Sequence, residues 1–281
     1  MQKCCVVTGA TSGIGREIAL GLARTGAKLV LVGRDPARTE ASVRELRTAS
    51  GNPDLTGMVA DLSLQHEVRE LAARIRAHFA ALDVLVNNAG AVHERRVLTS
   101  EGFERTWALN HLAYVTLTLE LLDALQASPQ GRVINIASGM HARGRIRFDN
   151  LQGESGYRRW AAYSQSKLAN VLFTYALARR LAGTRLTANC VRPGAVASGF
   201  GRGLTGGSRA LLWLLRPLML KPAQGADTAL YLATAAEPGA INGQYWFRRQ
   251  CRTSSALSLD QALQEKLWRL SVEQCGSSVP A

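Results

Sequence analysis

The sequence has few of the residues that build disulfide frameworks or metal centres. Its 281 residues include only five cysteines and five histidines. The cysteines are odd in number and scattered, so we predict reduced thiols that mostly serve as packing residues. The histidines show neither metal-ligand spacing nor a Ser/His/acid pattern, and we interpret each as a surface or helix residue. No metal site is expected.

Long hydrophobic runs are also missing. After Met1 the polar pair Gln2-Lys3 leads straight into a short apolar run and a glycine loop, which leaves no room for a secretory signal or N-terminal anchor, and we expect a cytoplasmic protein. The most apolar stretch, residues 210–220, is too short and too interrupted to span a bilayer. It is interpreted as a substrate lid, a peripheral membrane contact, or a helix buried in the core or at a subunit interface. Whether the protein forms a homo-oligomer stays open.

Acidic residues are outnumbered, 21 against 34 basic ones, which gives a net charge of +13. Such a charge can serve nucleic acid, an anionic membrane surface, or an anionic cofactor. The arginines are spread along the whole chain, a pattern typical of solvated loops, so we expect no nucleic-acid partner. A nucleic-acid or membrane-surface binder would show a steep salt dependence of association.

Short apolar runs alternate with amphipathic stretches, which predicts parallel strands joined by helices. The runs lack strict alternation, as expected for strands with both faces covered. The predicted strands are Cys4–Val7, Lys28–Val32, Leu55–Ala60, Val84–Asn87, Arg132–Ala137, Leu186–Val191 and one near Tyr245. The predicted helices are Gly13–Thr25, Pro36–Ala49, Leu64–Phe79, Gly102–Leu125, Tyr157–Leu181 and helical material within Arg209–Ala236.

This pattern predicts an α/β fold, a single-domain Rossmann-type doubly wound parallel sheet with helices on both faces. We place the domain at residues 1–275, including a substrate segment at 199–222, and a frayed tail at 276–281.

A glycine-rich loop follows the first strand and opens a helix. Glycines allow a tight turn and close approach to a pyrophosphate, while the amides at the helix start favour the anion. The alternative is a turn required only for packing. The predicted cofactor contacts in this loop are Gly9, Thr11, Ser12, Gly13, Ile14 and Gly15.

The second strand ends in Gly33 and Arg34, where many dinucleotide sites have an acidic residue for the ribose. The planar fork of Arg34 suits a ribose phosphate, so we predict NADP(H) as the cofactor. In the alternative, Asp35 binds the ribose and NAD is used, although Asp35 can equally start the next helix.

These motifs together resemble the short-chain dehydrogenase/reductase family over nearly the full chain. The resemblance rests on residues 8–15, 61–62, 87–90, 110, 138, 163–167 and 192–194, each in family order. The family implies a Tyr general acid/base in hydride transfer between a nicotinamide and a carbonyl or alcohol.

Tyr163 and Lys167 are one helical turn apart and share a helix face. A neighbouring ammonium stabilises phenolate, so we expect Lys167 to draw the pKa of Tyr163 toward neutrality. Ser138, after the fifth strand, can hold the substrate oxygen. By resemblance, Asn110 holds a water that relays protons to Lys167, the alternative being a solvent-facing or capping residue.

The resemblance also implies further cofactor contacts. Asp61 and Leu62 would border the adenine. Asn87, Ala89 and Gly90 would line the cofactor floor. The nicotinamide would be covered by Pro193, Gly194, Val196 and Ser198, the last standing where the family usually has threonine.

Residues 144–154, 166–173 and 221–226 are similar to the retinol dehydrogenase branch of the family. That similarity implies a lipophilic aldehyde, ketone or alcohol as the substrate, and retinal is the most specific form of this hypothesis. Two alternatives remain, a catalytically silent nucleotide-binding regulator on the same fold and a reductase of a different small carbonyl compound.

Overall fold

A computed structural model describes residues 2–196 and 219–276 of the chain. Eight strands form one sheet in the order β3-β2-β1-β4-β5-β6-β7-β8, parallel except for the last pair. The strands are β1 Cys4–Thr8, β2 Lys28–Gly33, β3 Leu55–Val59, β4 Val84–Asn87, β5 Arg132–Ile136, β6 Thr187–Val191, β7 Tyr245–Phe247 and β8 Gln250–Arg252. The predicted doubly wound Rossmann-type fold is confirmed.

Helices cover both faces of this sheet. They are α1 Gly13–Ala23, α2 Pro36–Ser50, α3 Gln65–His78, α4 Arg105–Trp107, α5 Ala113–Glu120, α6 Leu122–Gln126, α7 Arg159–Arg180, α8 Pro222–Thr234, α9 Ala256–Leu259 and α10 Gln261–Cys275. A π-helical turn, Ala108–Leu112, joins α4 to α5. The single helix predicted over 102–125 is therefore interrupted, and it starts at Arg105, where Glu104 accepts hydrogen bonds from the first amides.

The central strands are mostly apolar because each face of the sheet packs into a separate core. Val6 of β1 and Val30 of β2 contribute to one core. Val7 and Leu31, the next residues along the same strands, contribute to the other. Neighbouring residues of a strand point to opposite faces, so both must be hydrophobic.

The sheet ends in a hairpin that the sequence did not predict. Arg248 and Arg249 connect β7 to β8 with φ of 52° and 58°. Two consecutive residues with positive φ form the tight turn that matches the twist of a hairpin. Asn and Gly usually occupy such positions, and two arginines give no such signal.

Most of the 210–220 segment lies outside the described residues, so its predicted role remains a prediction. Within 2–196 and 219–276, no helix is both long enough and apolar enough to pass through a bilayer. The same residues contain no group of three or more His, Cys, Asp or Glu side chains suited to holding a metal ion.

Candidate active site

Many of the predicted site residues follow parallel strands that end at one edge of the sheet. The glycine loop follows β1, residues 88–90 follow β4, Ser138 lies just past β5 and residues 192–196 follow β6. The winding of the sheet reverses at β1, which pairs with β2 on one side and β4 on the other. Open α/β sheets bind ligands in the crevice at such a reversal.

The loop between β1 and α1 is shaped to admit an anion. Gly9 and Gly13 have φ of 65° and 56°, values that residues with a Cβ rarely adopt. A Cβ on Gly15 would lie 2.3 Å from the carbonyl oxygen of Gly9, so no side chain fits there. Ser12 is the N-cap residue of α1, and its side chain makes no capping hydrogen bond. The hydroxyl and the first amides of the helix therefore suit a pyrophosphate, and the loop fits a dinucleotide.

Asn88 holds this loop in shape, a role that sequence reasoning missed. Its Nδ2 donates to the carbonyl oxygens of Thr8, at 2.8 Å, and Gly9, at 3.3 Å. The Thr8 hydroxyl accepts hydrogen bonds from the amides of Asn88 and Ala89 at 2.8 and 3.0 Å. These contacts tie the ends of β1 and β4 together. The Asn87-Asn88 pair was visible in the sequence, but a site role was predicted only for Asn87.

The structure places the side chain of Asn87 in the core, and its role on the cofactor floor stays a prediction. Asn87 is fully buried. Its Nδ2 donates to Thr118 Oγ1 and Asn135 Oδ1, both at 2.9 Å. Successive side chains along an extended chain alternate in direction, so Asn88 reaches the glycine loop and Asn87 points into the core.

The end of β2 has no space for a carboxylate. A Cβ on Gly33 would lie 2.2 Å from Oγ1 of Thr39 and 2.6 Å from Cγ2 of Thr11. Asp35, the alternative ribose ligand, accepts a hydrogen bond at 2.8 Å from an amide of the first turn of α2 and so caps that helix. The exposed Arg34 lies between them.

Asp61 follows β3. Burial acts to raise its pKa, but hydrogen bonds from Ser63 and the charges of Arg105 and Arg34 together lower it below the usual value. The carboxylate is therefore charged, and Arg105 contacts it at 3.3 Å. Leu62 is buried beside it.

The segment after β6 returns to the glycine loop. Residues 193–194 are partly buried, and Val196 and Ile14 both pack against Gly225. Side-chain atoms of these two residues would be 2.6 and 3.3 Å from a Cβ on Gly225. Ser198 lies outside the described residues.

Ser138, Tyr163 and Lys167 meet at the crevice. Tyr163 and Lys167 lie one turn apart on α7, with 7% and 3% of their surface exposed. The Lys167 Nζ is 5.9 Å from the Tyr163 ring centroid and 5.3 Å from that of Tyr114. It donates a 2.7 Å hydrogen bond to the Ile136 carbonyl. Ser138 and Tyr163 share a side-chain hydrogen bond.

The prediction that Lys167 draws the pKa of Tyr163 toward neutrality does not hold for the protein alone. Burial raises the pKa of Tyr163 to about 12, and the hydrogen bond from Ser138 offsets only part of that effect. Burial also lowers the pKa of Lys167 to about 7. Both shifts have the same cause, because a dry site disfavours each charged form. The phenol is therefore protonated at neutral pH.

Asn110 braces the crevice wall, and its role in holding a water stays a prediction. Its Oδ1 accepts from the amide of Ala91 at 2.9 Å, and its Nδ2 donates to the Ala91 carbonyl at 2.9 Å and to Ser166 Oγ at 3.1 Å. Its own carbonyl accepts from Asn170 Nδ2 at 2.8 Å. Gly90 adjoins this brace, since a Cβ there would be 3.2 Å from the Asn110 Oδ1.

Two of the five histidines are buried, which the sequence did not indicate. His111, in the π-helical turn, is fully buried between Asn170 Oδ1 at 3.2 Å and Ser271 Oγ at 2.8 Å. His141, 4% exposed, follows Ser138 in a short 3₁₀ turn.

Comparison with known proteins identifies the family. The model of the family described as short chain dehydrogenase matches residues 3–206. Retinol dehydrogenase 12 of Mus musculus is 38% identical over 275 residues, which cover 98% of this chain and 86% of that protein. Retinol dehydrogenases 11, 13 and 14 of Homo sapiens are 35–38% identical over at least 98% of this chain and 86% of their own lengths.

Solved structures agree. An uncharacterized protein from Mycobacterium paratuberculosis is similar with a TM-score of 0.80 and 31% identity, over 100% of this chain and 96% of its own. The Pseudomonas aeruginosa RhlG/NADP active-site complex is similar with a TM-score of 0.69 and 28% identity, over 86% and 93%. The chain therefore belongs to the short-chain dehydrogenase/reductase family of oxidoreductases, and within that family it resembles the retinol dehydrogenase branch.

Proposed function

We propose that this protein is an NADP(H)-dependent oxidoreductase that interconverts a lipophilic aldehyde or ketone and its alcohol. The observation that carries the proposal is the meeting of Ser138, Tyr163 and Lys167 beside a loop that fits a pyrophosphate. The retinol dehydrogenases among its relatives support a lipophilic substrate.

The protonation states suit reduction. Because the pKa of Tyr163 is raised to about 12, the phenol holds its proton at neutral pH and can donate it to an oxygen that gains negative charge. Ser138, hydrogen-bonded to that phenol, would hold the same oxygen. Bound NADPH supplies the hydride that adds to the carbonyl carbon. The phenolate left on Tyr163 would be stabilised by the Lys167 ammonium, 5.9 Å from the ring.

The preference for NADP(H) rests on the end of β2. The crowding at Gly33 excludes an acidic ribose ligand there, and Asp35 is engaged as a helix cap. The guanidinium of Arg34 is the group left to meet a ribose phosphate. The NADP complex among the solved neighbours is consistent with this choice.

Turnover tests the proposed reaction. Purified protein, NADPH and a panel of hydrophobic aldehydes and ketones, retinal included, are mixed, and the loss of reduced-nicotinamide absorbance is followed. Tyr163→Phe should lower kcat by about 10²–10⁴-fold, the range for losing a general acid. Tyr231→Phe is the matched control, because the hydroxyl of Tyr231, on α8, donates its hydrogen bond to Glu237. NADPH binding without turnover across the panel would refute the proposal in favour of a nucleotide-binding regulator.

Cofactor preference is tested separately. The Michaelis constants for NADPH and NADH are compared in the wild type, in Arg34→Gln, and in the control Arg44→Gln, which removes an exposed arginine paired with Glu40 on the same helix. A lost charge-assisted hydrogen bond of about 1.5–3 kcal/mol predicts a tenfold to hundredfold loss of NADPH discrimination in Arg34→Gln. A wild type that prefers NADH would overturn the assignment.

A further inference from the structure

His141 is bound at both ring nitrogens to backbone groups. It lies in the 3₁₀ turn that starts at Ser138 and is 4% exposed. Its Nδ1 is 2.7 Å from the carbonyl oxygen of Ser138. Its Nε2 is 3.1 Å from the backbone nitrogen of Ser255, which donates to it. The ring thus bridges the end of β5 and the start of α9.

These two partners permit one protonation state. A carbonyl oxygen only accepts, so Nδ1 must carry a hydrogen, and a backbone N–H only donates, so Nε2 must offer its lone pair. The imidazole must therefore be neutral, with its proton on Nδ1. An imidazolium would direct a hydrogen of Nε2 against the amide hydrogen of Ser255.

The groups around the ring also favour the neutral form. Burial lowers the pKa of His141 and the nearby charge of Arg192 lowers it further, while the hydrogen bond to Ser138 acts in the opposite direction. The phenol of Tyr245 packs on the ring at a centroid distance of 4.8 Å, with its oxygen 3.4 Å from Nδ1. No acidic side chain contributes to this pKa among the described residues.

We propose that neutral His141 is a positioning residue for Ser138, which anchors the Ser138 carbonyl to the 255–258 segment and thereby fixes the direction of the Ser138 hydroxyl. This inference rests on the proposed function, in which that hydroxyl holds the substrate oxygen. The same carbonyl also accepts the His141 amide at 3.1 Å, and the hydroxyl accepts the Met140 amide at 3.2 Å. The whole turn is therefore built around Ser138, and the imidazole links it to Ser255.

A spectroscopic test addresses the tautomer without any turnover. In protein labelled with ¹⁵N-histidine, the His141 ring should show a protonated Nδ1 and an unprotonated Nε2 at neutral pH, with the signals assigned by their loss in His141→Asn. A His141 ring protonated on Nε2 would overturn the inference.

A kinetic test separates the two hydrogen bonds. The side-chain amide of His141→Asn can replace Nδ1 and reach the Ser138 carbonyl. His141→Gln extends to the Nε2 position instead, so that carbonyl keeps the backbone amide of residue 141 but loses its side-chain donor. His141→Gln should lower kcat about tenfold, the effect of one hydrogen bond, with the KM for NADPH unchanged, while His141→Asn keeps most of the rate. Because burial holds the pKa of His141 below its usual value, the wild-type kcat should fall only at acid pH, when the pH passes below that lowered pKa, and His141→Asn should lack this limb.

If kcat falls equally in His141→Asn and His141→Gln, and the fall follows the drop in melting temperature, His141 only supports the fold. That result would overturn the inference. An inactive wild type would refute the proposed function instead, and the tautomer experiment would still decide the state of the ring.

Discussion

Acid should destabilise this protein through His111 by an amount that can be calculated. Burial lowers the pKa of His111 from 6.5 to about 3, Lys167 adds to the effect, and the hydrogen bond to Asn170 opposes it. Below pH 6.5 the unfolded chain binds a proton at this position while the folded protein does not. Stability is therefore fully present above pH 6.5 and falls with the pH until the folded pKa is reached. The slope approaches about 1.4 kcal/mol per pH unit, so acidification from pH 6 to pH 4 removes about 3 kcal/mol.

Urea unfolding at pH 6, 5 and 4 measures this loss, and comparison with His111→Gln isolates it from other titrating groups. Glutamine is polar, does not titrate, and should flatten the dependence by about the calculated amount. The control is His66→Gln, because His66 is exposed and its pKa is raised by the hydrogen bond that its ring donates to Glu101, which gives the opposite sign. Identical pH dependence in the wild type and His111→Gln would refute the reasoning.

Three further outcomes can be checked with the same protein. Gly15→Ala should abolish NADPH binding in a fluorescence titration, since the new Cβ collides with a loop carbonyl at 2.3 Å. A Gly15→Ala variant that binds NADPH as tightly as the wild type would contradict the assignment of the glycine loop as the pyrophosphate site. Asn88→Ala, which loses two hydrogen bonds to the glycine loop, should weaken NADPH binding about tenfold, and a change in kcat alone would count against that role. Because the pKa of Tyr163 is about 12 and its proton must be absent for alcohol oxidation, oxidation should accelerate as the pH rises through the alkaline range while reduction stays nearly level from pH 6 to 9; equal pH profiles in both directions would argue against Tyr163 as the acid/base.

The sequence was sufficient where local pattern and global fold agree. The strands of the parallel sheet were read from compact apolar runs, and β4 was placed at its observed bounds. The glycine loop was recognisable because its glycines occupy backbone positions that no other residue fits. The spacing of Tyr163 and Lys167 fixed their relation, since one helical turn puts both on the same face.

What the sequence missed depends on contacts between distant segments. The π-helical turn at 108–112 places Asn110 against Ala91 and α7, and nothing in the local pattern specifies that insertion. The burial of His141 depends on Ser255, 114 residues away. The pKa of Tyr163 was expected to fall because the sequence shows Lys167 one helical turn away. Burial, which no sequence pattern measures, raises that pKa instead.

The packing around Gly33 links cofactor choice to the neighbouring threonines in the evolution of this chain. A carboxylate cannot be introduced at Gly33 in one step, because the Thr39 hydroxyl, itself bonded to the carbonyl of Asp35 at 2.7 Å, occupies the space that the new side chain would need. Because Cγ2 of Thr11 would also lie 2.6 Å from the new Cβ, both Thr39 and Thr11 would have to be shortened first, so the same substitution at Gly33 is harmful in one background and tolerated in the other. A lineage moving between the two nicotinamide cofactors would have to acquire its mutations in that order.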